Sequence, residues 1–323
     1  MSLLQSTVSC REHVDSLREL RAELPRVPRA DLPGFFDVAR RLSEQLPDEL
    51  RSQLVAFRRE GNDDGYLHLR GLPCDPGELP PTPSVTPTPA ERELLPMEAW
   101  IALVGMCLGE ATGYLENRGG GAFQDIYPDP RAHHMTANAA PTTLRYHTEM
   151  AYHREQPHYL VIACARPDHE RVAATLVSSV RRIVPRLDPE HRRILREVPM
   201  PWHVDLAFRS EQDPDPQTGI PVLSEDDDVM RYDRRLIDRD EVPPTARASL
   251  DAFSDELDAV AASVYLEQGD VLIVDNFRTS HARTPFTPRW DGTDRWLQRI
   301  FVRDPERSDH PVGPSEVVPF FLR

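Results

Sequence analysis

The strongest constraint on this chain lies in GDVLIVDNFRTSHARTPFTPRWDGTDRWLQRIFVRD, residues 269 to 304. A Gly-Asp turn opens the stretch, an apolar run from Val271 to Val274 follows, and a histidine stands at His281. Arg295 and Arg299 come next, four residues apart, among the apolar Trp296, Leu297, Ile300 and Phe301. That spacing looks helical but also suits one face of a strand, where alternate side chains share a side. Read as strands, the two segments bring an imidazole and a guanidinium together inside a barrel. The rest of the chain must then supply the walls.

At 323 residues the chain can bury a large core. Its formal charge of −15 argues against non-specific binding to nucleic acid or to anionic lipid, and an acidic, solubilising surface accounts for it. All 38 basic residues are arginine. Without lysine, Schiff-base chemistry and a Walker-type phosphate loop are excluded. Cys10, Cys74, Cys107 and Cys164 are scattered and form no CxxC pair, which weighs against a disulfide framework or a zinc knuckle. No apolar run approaches a membrane span, and the first twenty or so residues lack the apolar core of a signal peptide. A cytoplasmic protein is expected.

Taken in order, residues 8 to 60 read as helical, with Leu17, Leu20 and Leu24 at helical spacing. Phe35, Phe36, Val38, Leu42 and Leu46 make a second set, continued by Leu50, Leu54 and Phe57. Tyr66 to Leu69 alternates like a strand, residues 71 to 93 are too rich in proline for anything but an extended loop, and Leu95 to Leu108 predicts a buried helix. From Gly113 onward the pattern becomes short apolar segments punctuated by Pro, Asp and Gly. Strands are expected over 122–127, 143–152, 159–165, 173–177, 200–208, 220–223, 271–276 and 296–303, with helices over 180–198 and 244–266. Residues 205 to 242 are acidic and rich in turn formers, and read either as a solvated loop or as a lid with a few inward carboxylates. The expected architecture is one α+β domain over 1–323. It has a helical N-terminal extension (1–110), a jelly-roll core with flanking helices and an acidic lid insert (111–303), and a tail (304–323).

A facial-triad Fe(II) oxygenase needs two imidazoles and one carboxylate on one face, with the opposite face open for co-substrate and dioxygen. The usual form is His-x-Asp/Glu on a strand plus a distant histidine. This chain has four such pairs, where chance gives about two: His13/Asp15, His147/Glu149, His153/Glu155 and His203/Asp205. His13 falls in a predicted helix, where residues two apart do not share a face. His203/Asp205 borders the acidic segment, and His153/Glu155 lies at the polar end of its stretch. His147/Glu149, in TTLRYHTEMAYH, sits best. The plainer alternatives are a core histidine at His281, hydrogen-bonded beside Asp275 or Asn276, and an ordinary surface ion pair at Arg295.

LRYHTEMAYH together with GDVLIVDNFRTSHARTPFTPRWDGTDRWLQR resembles the clavaminate synthase-like branch of the 2-oxoglutarate-dependent oxygenases, which includes arginine and asparagine β-hydroxylases. That branch carries His-x-Glu, matched by His147 and Glu149, and an arginine fourteen residues after the distal histidine, matched by Arg295 after His281. The resemblance covers residues 120 to 303 and implies a double-stranded β-helix. It implies Fe(II) on His147, Glu149 and His281, 2-oxoglutarate on Arg295 and Thr175, and dioxygen as co-substrate. Arg299, Gln124, Asp233 and the metal-facing Glu149 would line the place of an amino-acid substrate. Where arginine-using relatives have a second acid two residues beyond Asp233, this chain has Arg235. The carboxylate at Glu149 argues against halogenation, which needs a small residue there. The implied reaction is hydroxylation of a free polar or cationic L-amino acid, at C3 or C4, in natural-product biosynthesis. Desaturation or cyclisation at the same site, or a non-catalytic jelly-roll binding protein, are the alternatives.

Overall fold

A computed structural model describes residues 5–84, 92–115, 117, 120–132, 140–203, 218–308, 312–313 and 316–318. In chain order, β1 (Thr7–Ser9) precedes helices α1 (Val14–Ala22), α2 (Leu32–Ser43) and α3 (Asp48–Glu60). Strand β2 (Tyr66–Arg70), helix α4 (Pro96–Leu108) and strands β3 (Glu110–Tyr114), β4 (Gln124–Ile126), β5 (Leu144–His147), β6 (Tyr159–Arg166) and β7 (Ala174–Ser179) follow. Then come α5 (Val180–Ile183), α6 (Pro189–Glu197), β8 (Met200–Trp202), β9 (Thr218–Ile220) and α7 (Pro244–Val260). The chain closes with β10 (Ala262–Tyr265), β11 (Val271–Asp275), β12 (Thr279–Arg283), β13 (Trp296–Arg303) and β14 (Val317–Val318).

Two sheets face each other. The larger runs β1-β2-β11-β6-β13-β3-β14, with β4 also paired to β13, and the smaller runs β10-β7-β12-β5. The central strands β6, β11 and β13 are apolar on both faces because both faces are covered. Val161, Ala163, Val271, Ile273, Trp296, Ile300 and Val302 pack outward against the helices, in one cluster with Phe35, Phe36, Phe57 and Trp100. Leu160, Ile162, Leu272, Val274, Leu297 and Phe301 point the other way and meet Val177 and Val264 of the smaller sheet. Arg299 shares parity with Leu297 and Phe301 on β13, so its cation is carried into the space between the sheets.

Helix α4 is buried on nearly all sides, as a helix sandwiched between others and a sheet must be. Gly105 lets it lie close to β13: a Cβ there would sit 2.6 Å from Ile300 Cδ1. At the Gly-Asp turn, Gly269 has φ +86° and a Cβ would collide with the Leu72 carbonyl, so only glycine suits the position. The next residue, Asp270, accepts from Gly71 N–H at 3.1 Å and meets His68 Nε2 at 2.9 Å, tying β2 to the start of β11.

Several sequence expectations need correction. The N-terminal segment is not wholly helical: β1 pairs in parallel with β2. The helix expected over 180–198 breaks after α5 into a short 3-10 turn, Val184–Arg186, because Pro185 cannot continue it; α6 restarts with Pro189 in its first turn and the Asp188 side chain accepting from Glu190 N–H at 2.8 Å. The helix expected over 244–266 ends at Val260, and Ala262–Tyr265 instead forms the edge strand β10, paired with β7. The acidic insert is not a solvated loop throughout: Val222, Leu223, Met230, Tyr232, Leu236, Ile237 and Val242 are buried against α6 and α7. Its acidic stretch from 204 to 217, which includes Asp205, lies outside the described residues. The expected tail also contributes β14, which pairs in parallel with β3. No helix among the described residues is long and apolar enough to cross a membrane.

Candidate active site

His281 on β12 lies directly opposite His147 on β5, and the two imidazole rings are 4.2 Å apart, centroid to centroid. Glu149 joins them from beyond the end of β5. Strand β5 stops at His147, so the His-x-Glu pair does not lie along one strand as expected. The chain turns there, with Met150 at φ 52°. Asn276, at the end of β11, holds that turn in place. Its Oδ1 accepts from Glu149 N–H at 2.9 Å, and its Nδ2 donates to the carbonyls of Glu149 and Pro157, both at 2.9 Å. Backbone clamping thus replaces strand geometry in aiming the carboxylate.

Glu149 Oε2 stands 3.7 Å from His147 Nε2, 4.0 Å from His281 Nε2 and 3.2 Å from Arg299 Nη1. One donor atom from each of His147, Glu149 and His281 lies within 4.8 Å of the others. His147 Nδ1–H donates to the Arg145 carbonyl at 2.9 Å, which leaves its Nε2 lone pair facing the other two groups. Burial, and then the neighbouring His147, push His281 well below the usual imidazole range, so it is neutral at pH 7. Burial would raise Glu149, but the Arg299 guanidinium and the two imidazoles outweigh it and hold the carboxyl below its ordinary value. Two imidazoles and one carboxylate, converging and buried, fit a divalent iron of the facial-triad type.

The alternatives for His281 and Arg295 fail on their partners. Asp275 is taken by Arg278 at 2.6 Å and Asn276 by the Glu149 turn, while His281 Nδ1 is buried with no hydrogen-bond partner among the described residues. Arg295 is 5 % exposed and, among the described residues, has no carboxylate at ion-pair distance; it lies over the Phe286 ring at 5.5 Å. Arg283 covers the same ring at 5.2 Å and pairs across the sheet with Thr175. Burial, and then the charge of Arg295, push the Arg283 guanidinium down to about 10. Two crowded buried cations beside a threonine call for an anionic ligand.

On the far side of the triad, β4 and β13 bring Gln124 opposite Arg299, and Arg299 Nε donates to Gln124 Oε1 at 2.9 Å. The Gln124 amide nitrogen is buried with no hydrogen-bond partner among the described residues. Behind this pair, Asp125 accepts from Trp296 Nε1 and Gln298 Nε2, each at 2.9 Å, and pairs with Arg92 at 3.0 Å, fixing the register of the two strands. Asp233 is bridged by its backbone to His147, and Arg235 folds onto its carboxylate. Of the other His-x-acid pairs, Glu155 is engaged by Arg303, His203 by Asp238 at 3.0 Å, and His13 lies 3.9 Å from Glu49. Asn276, Arg283 and Phe286 escaped the sequence reading. Arg283 could have been found, since it lies two residues from His281 and therefore on the same face of a strand.

A buried two-histidine, one-carboxylate centre between the sheets of a jelly roll, in a core that also buries the Arg283, Arg295 and Arg299 cations, defines a non-haem iron oxygenase that consumes a carboxylate co-substrate. The family profile described as "Taurine catabolism dioxygenase TauD, TfdA family" matches residues 30–301, and the chain belongs to that family of Fe(II)/2-oxoglutarate-dependent oxygenases. It is 48% identical over 299 residues to clavaminate synthase 2 of Streptomyces clavuligerus, covering 92% of this chain and 91% of the relative. It also resembles the crystal structure of asparagine oxygenase in complex with Fe(II), hydroxyasparagine and succinate. The TM-score is 0.85 and the identity 31%, over 97% of this chain and 99% of the other. A second similar structure is the oxygenase OrfP with Fe and α-ketoglutaric acid, with a TM-score of 0.78 and 26% identity over 96% of this chain and 98% of that one.

Proposed function

We propose that this enzyme hydroxylates an unactivated carbon, C3 or C4, of a free polar L-amino acid in a cytoplasmic biosynthetic pathway. The observation that carries the reading is the Arg299–Gln124 pair: a buried guanidinium 3.2 Å from Glu149, hydrogen-bonded to a buried glutamine whose amide nitrogen has no partner among the described residues. An α-carboxylate is the ligand such a pair suits. In this reading His147, Glu149 and His281 hold Fe(II), and Arg295 with the Thr175 hydroxyl grips the distal carboxylate of 2-oxoglutarate. With Glu149 holding the metal, Arg299 would be the guanidinium that meets the substrate carboxylate. Asp233 borders the side-chain end of the pocket. The bound iron supplies oxidation of a C–H bond, coupled to decarboxylation of 2-oxoglutarate to succinate. The chain's own residues orient the two carboxylates, keep the His281 imidazole neutral and exclude water.

A second outcome at the same site, desaturation or ring closure, is favoured by one observation: the relative at 48% identity is named a synthase. The test is to incubate the Fe(II)-loaded protein with 2-oxoglutarate, ascorbate and a panel of L-amino acids, following succinate and analysing products by mass spectrometry. Hydroxylation adds one oxygen atom to the substrate, whereas desaturation or cyclisation removes two hydrogens. Succinate at background level with every panel member would sink the amino-acid reading.

A further inference from the structure

A second group of metal-ligating side chains lies apart from the iron triad, where the turn after β6 meets the segment that leads into β13. His169 Nε2 stands 3.8 Å from Asp294 Oδ1 and 4.0 Å from Asp291 Oδ1, and one donor atom from each of the three lies within 4.8 Å of the others. Hydrogen bonds of their own hold both turns. Asp168 accepts from Val172 N–H at 2.9 Å and from Ala173 N–H at 3.1 Å, which fixes the turn carrying His169. Asp294 is buried and accepts from Arg289 N–H at 2.7 Å and Trp290 N–H at 2.9 Å. Asp291 accepts from Thr293, whose N–H lies at 2.9 Å and whose hydroxyl lies at 2.7 Å. Thr82 donates to the carbonyls of Gly292 and Asp294, each at 2.7 Å, and pins that turn from another side.

The imidazole is the part that its neighbours do not satisfy. His169 Nε2 is buried beside two carboxylates, yet it has no hydrogen-bond partner among the described residues. A buried ring nitrogen left in that state costs stability. Separations of 3.8 and 4.0 Å are too long for an N–H···O bond, whose range ends near about 3.2 Å. They are within the span of one bridging ion, because two donors each bound at about 2.1 Å can stand up to about 4.2 Å apart. The hydrogen bonds to the two acids leave lone pairs over, since an ionised carboxylate offers about four acceptor sites.

We infer that His169, Asp291 and Asp294 form a second metal site, which takes one first-row divalent cation such as Zn(II) and staples the turn after β6 to the start of β13. The imidazole sets it apart from sites for Mg(II) or Ca(II), which take oxygen ligands. Two carboxylates neutralise the dication. Asp291 lies at the surface, so an ion can enter from solvent and complete its coordination with water. The site shares no residue with the iron triad. Asp294 immediately precedes Arg295, so the staple would hold the stretch that carries that buried guanidinium.

The test counts ions. Metal-free full-length protein is dialysed against low-micromolar Zn(II), and the zinc bound per chain is measured by mass spectrometry of the element. The wild type is expected to hold two ions, His281→Ala one, His169→Ala one, and the double variant His169→Ala/His281→Ala none. In the His281→Ala background, the near-isosteric Asp291→Asn should weaken zinc binding by about a hundredfold. Zinc should also raise the unfolding temperature of His281→Ala and leave that of the double variant unchanged. One ion in the wild type, lost in His281→Ala and kept in His169→Ala, overturns the inference and leaves the triad intact. A second ion that survives both His169→Ala and Asp291→Asn sits elsewhere and overturns it as well. No zinc on the wild type at all would contradict the triad and the second site together.

Discussion

His281→Ala should leave a folded protein that makes no succinate above background with any substrate. The imidazole stands opposite His147 with ring centroids 4.2 Å apart, and its loss leaves a two-donor site that cannot hold iron in a facial arrangement. The fold should tolerate the change. His281 Nδ1 is buried without a hydrogen-bond partner among the described residues, and removing such a polar group relieves a cost of about 1–3 kcal/mol, which offsets the small cavity. A readout that does not depend on turnover separates the two effects. Anaerobic Fe(II), or Mn(II) in its place, at a hundredfold excess over Kd should stabilise the wild type by about 2.7 kcal/mol in thermal or denaturant unfolding. The variant should gain little. Retained turnover, or metal-dependent stabilisation equal to that of the wild type, would mean that His281 is not a ligand.

Arg295→Met should raise the 2-oxoglutarate requirement by about a hundredfold, equivalent to about 3 kcal/mol of bidentate, charge-assisted binding. Without co-substrate the variant should be at least as stable as the wild type, because Arg295 is a buried cation with no carboxylate at ion-pair distance among the described residues. Burial pushes its guanidinium below the ordinary value. Adding 2-oxoglutarate should therefore stabilise the wild type strongly and the variant weakly. Arg295→Lys restores the charge but not the planar fork and should recover only part of the affinity. An unchanged KM for 2-oxoglutarate in Arg295→Met would move the co-substrate's distal carboxylate elsewhere, with Arg283 the next cation to test.

Parts of this site were legible because a strand's period is two. Val271 to Val274 and Trp296 to Phe301 announced buried strands, and Arg299 fell on the same face as Leu297 and Phe301 without any structural knowledge. Glu149 stands beside the two histidines for a reason the sequence pattern does not carry: its carboxylate is aimed by a turn and by Asn276, not by strand alternation. That clamp joins residues 127 positions apart, a distance over which local pattern carries no information. The same limit hid β1, β3 and β14, short strands whose existence depends on a partner distant in sequence. Composition misled at 218–242, where acidic residues on one side of each turn concealed Met230, Tyr232 and Leu236 packed beneath α6 and α7. In the sequence Arg235 is only a departure from arginine-using relatives; that it folds back onto Asp233 needs the structure.

The most direct test of the central claim is a crystal structure of the protein with Fe(II) and 2-oxoglutarate, prepared without oxygen. The account predicts iron on His147 Nε2, His281 Nε2 and one oxygen of Glu149, with the distal carboxylate of 2-oxoglutarate against Arg295 and the Thr175 hydroxyl. Iron bound away from these three side chains, or a co-substrate carboxylate that leaves Arg295 without an anion, would contradict it.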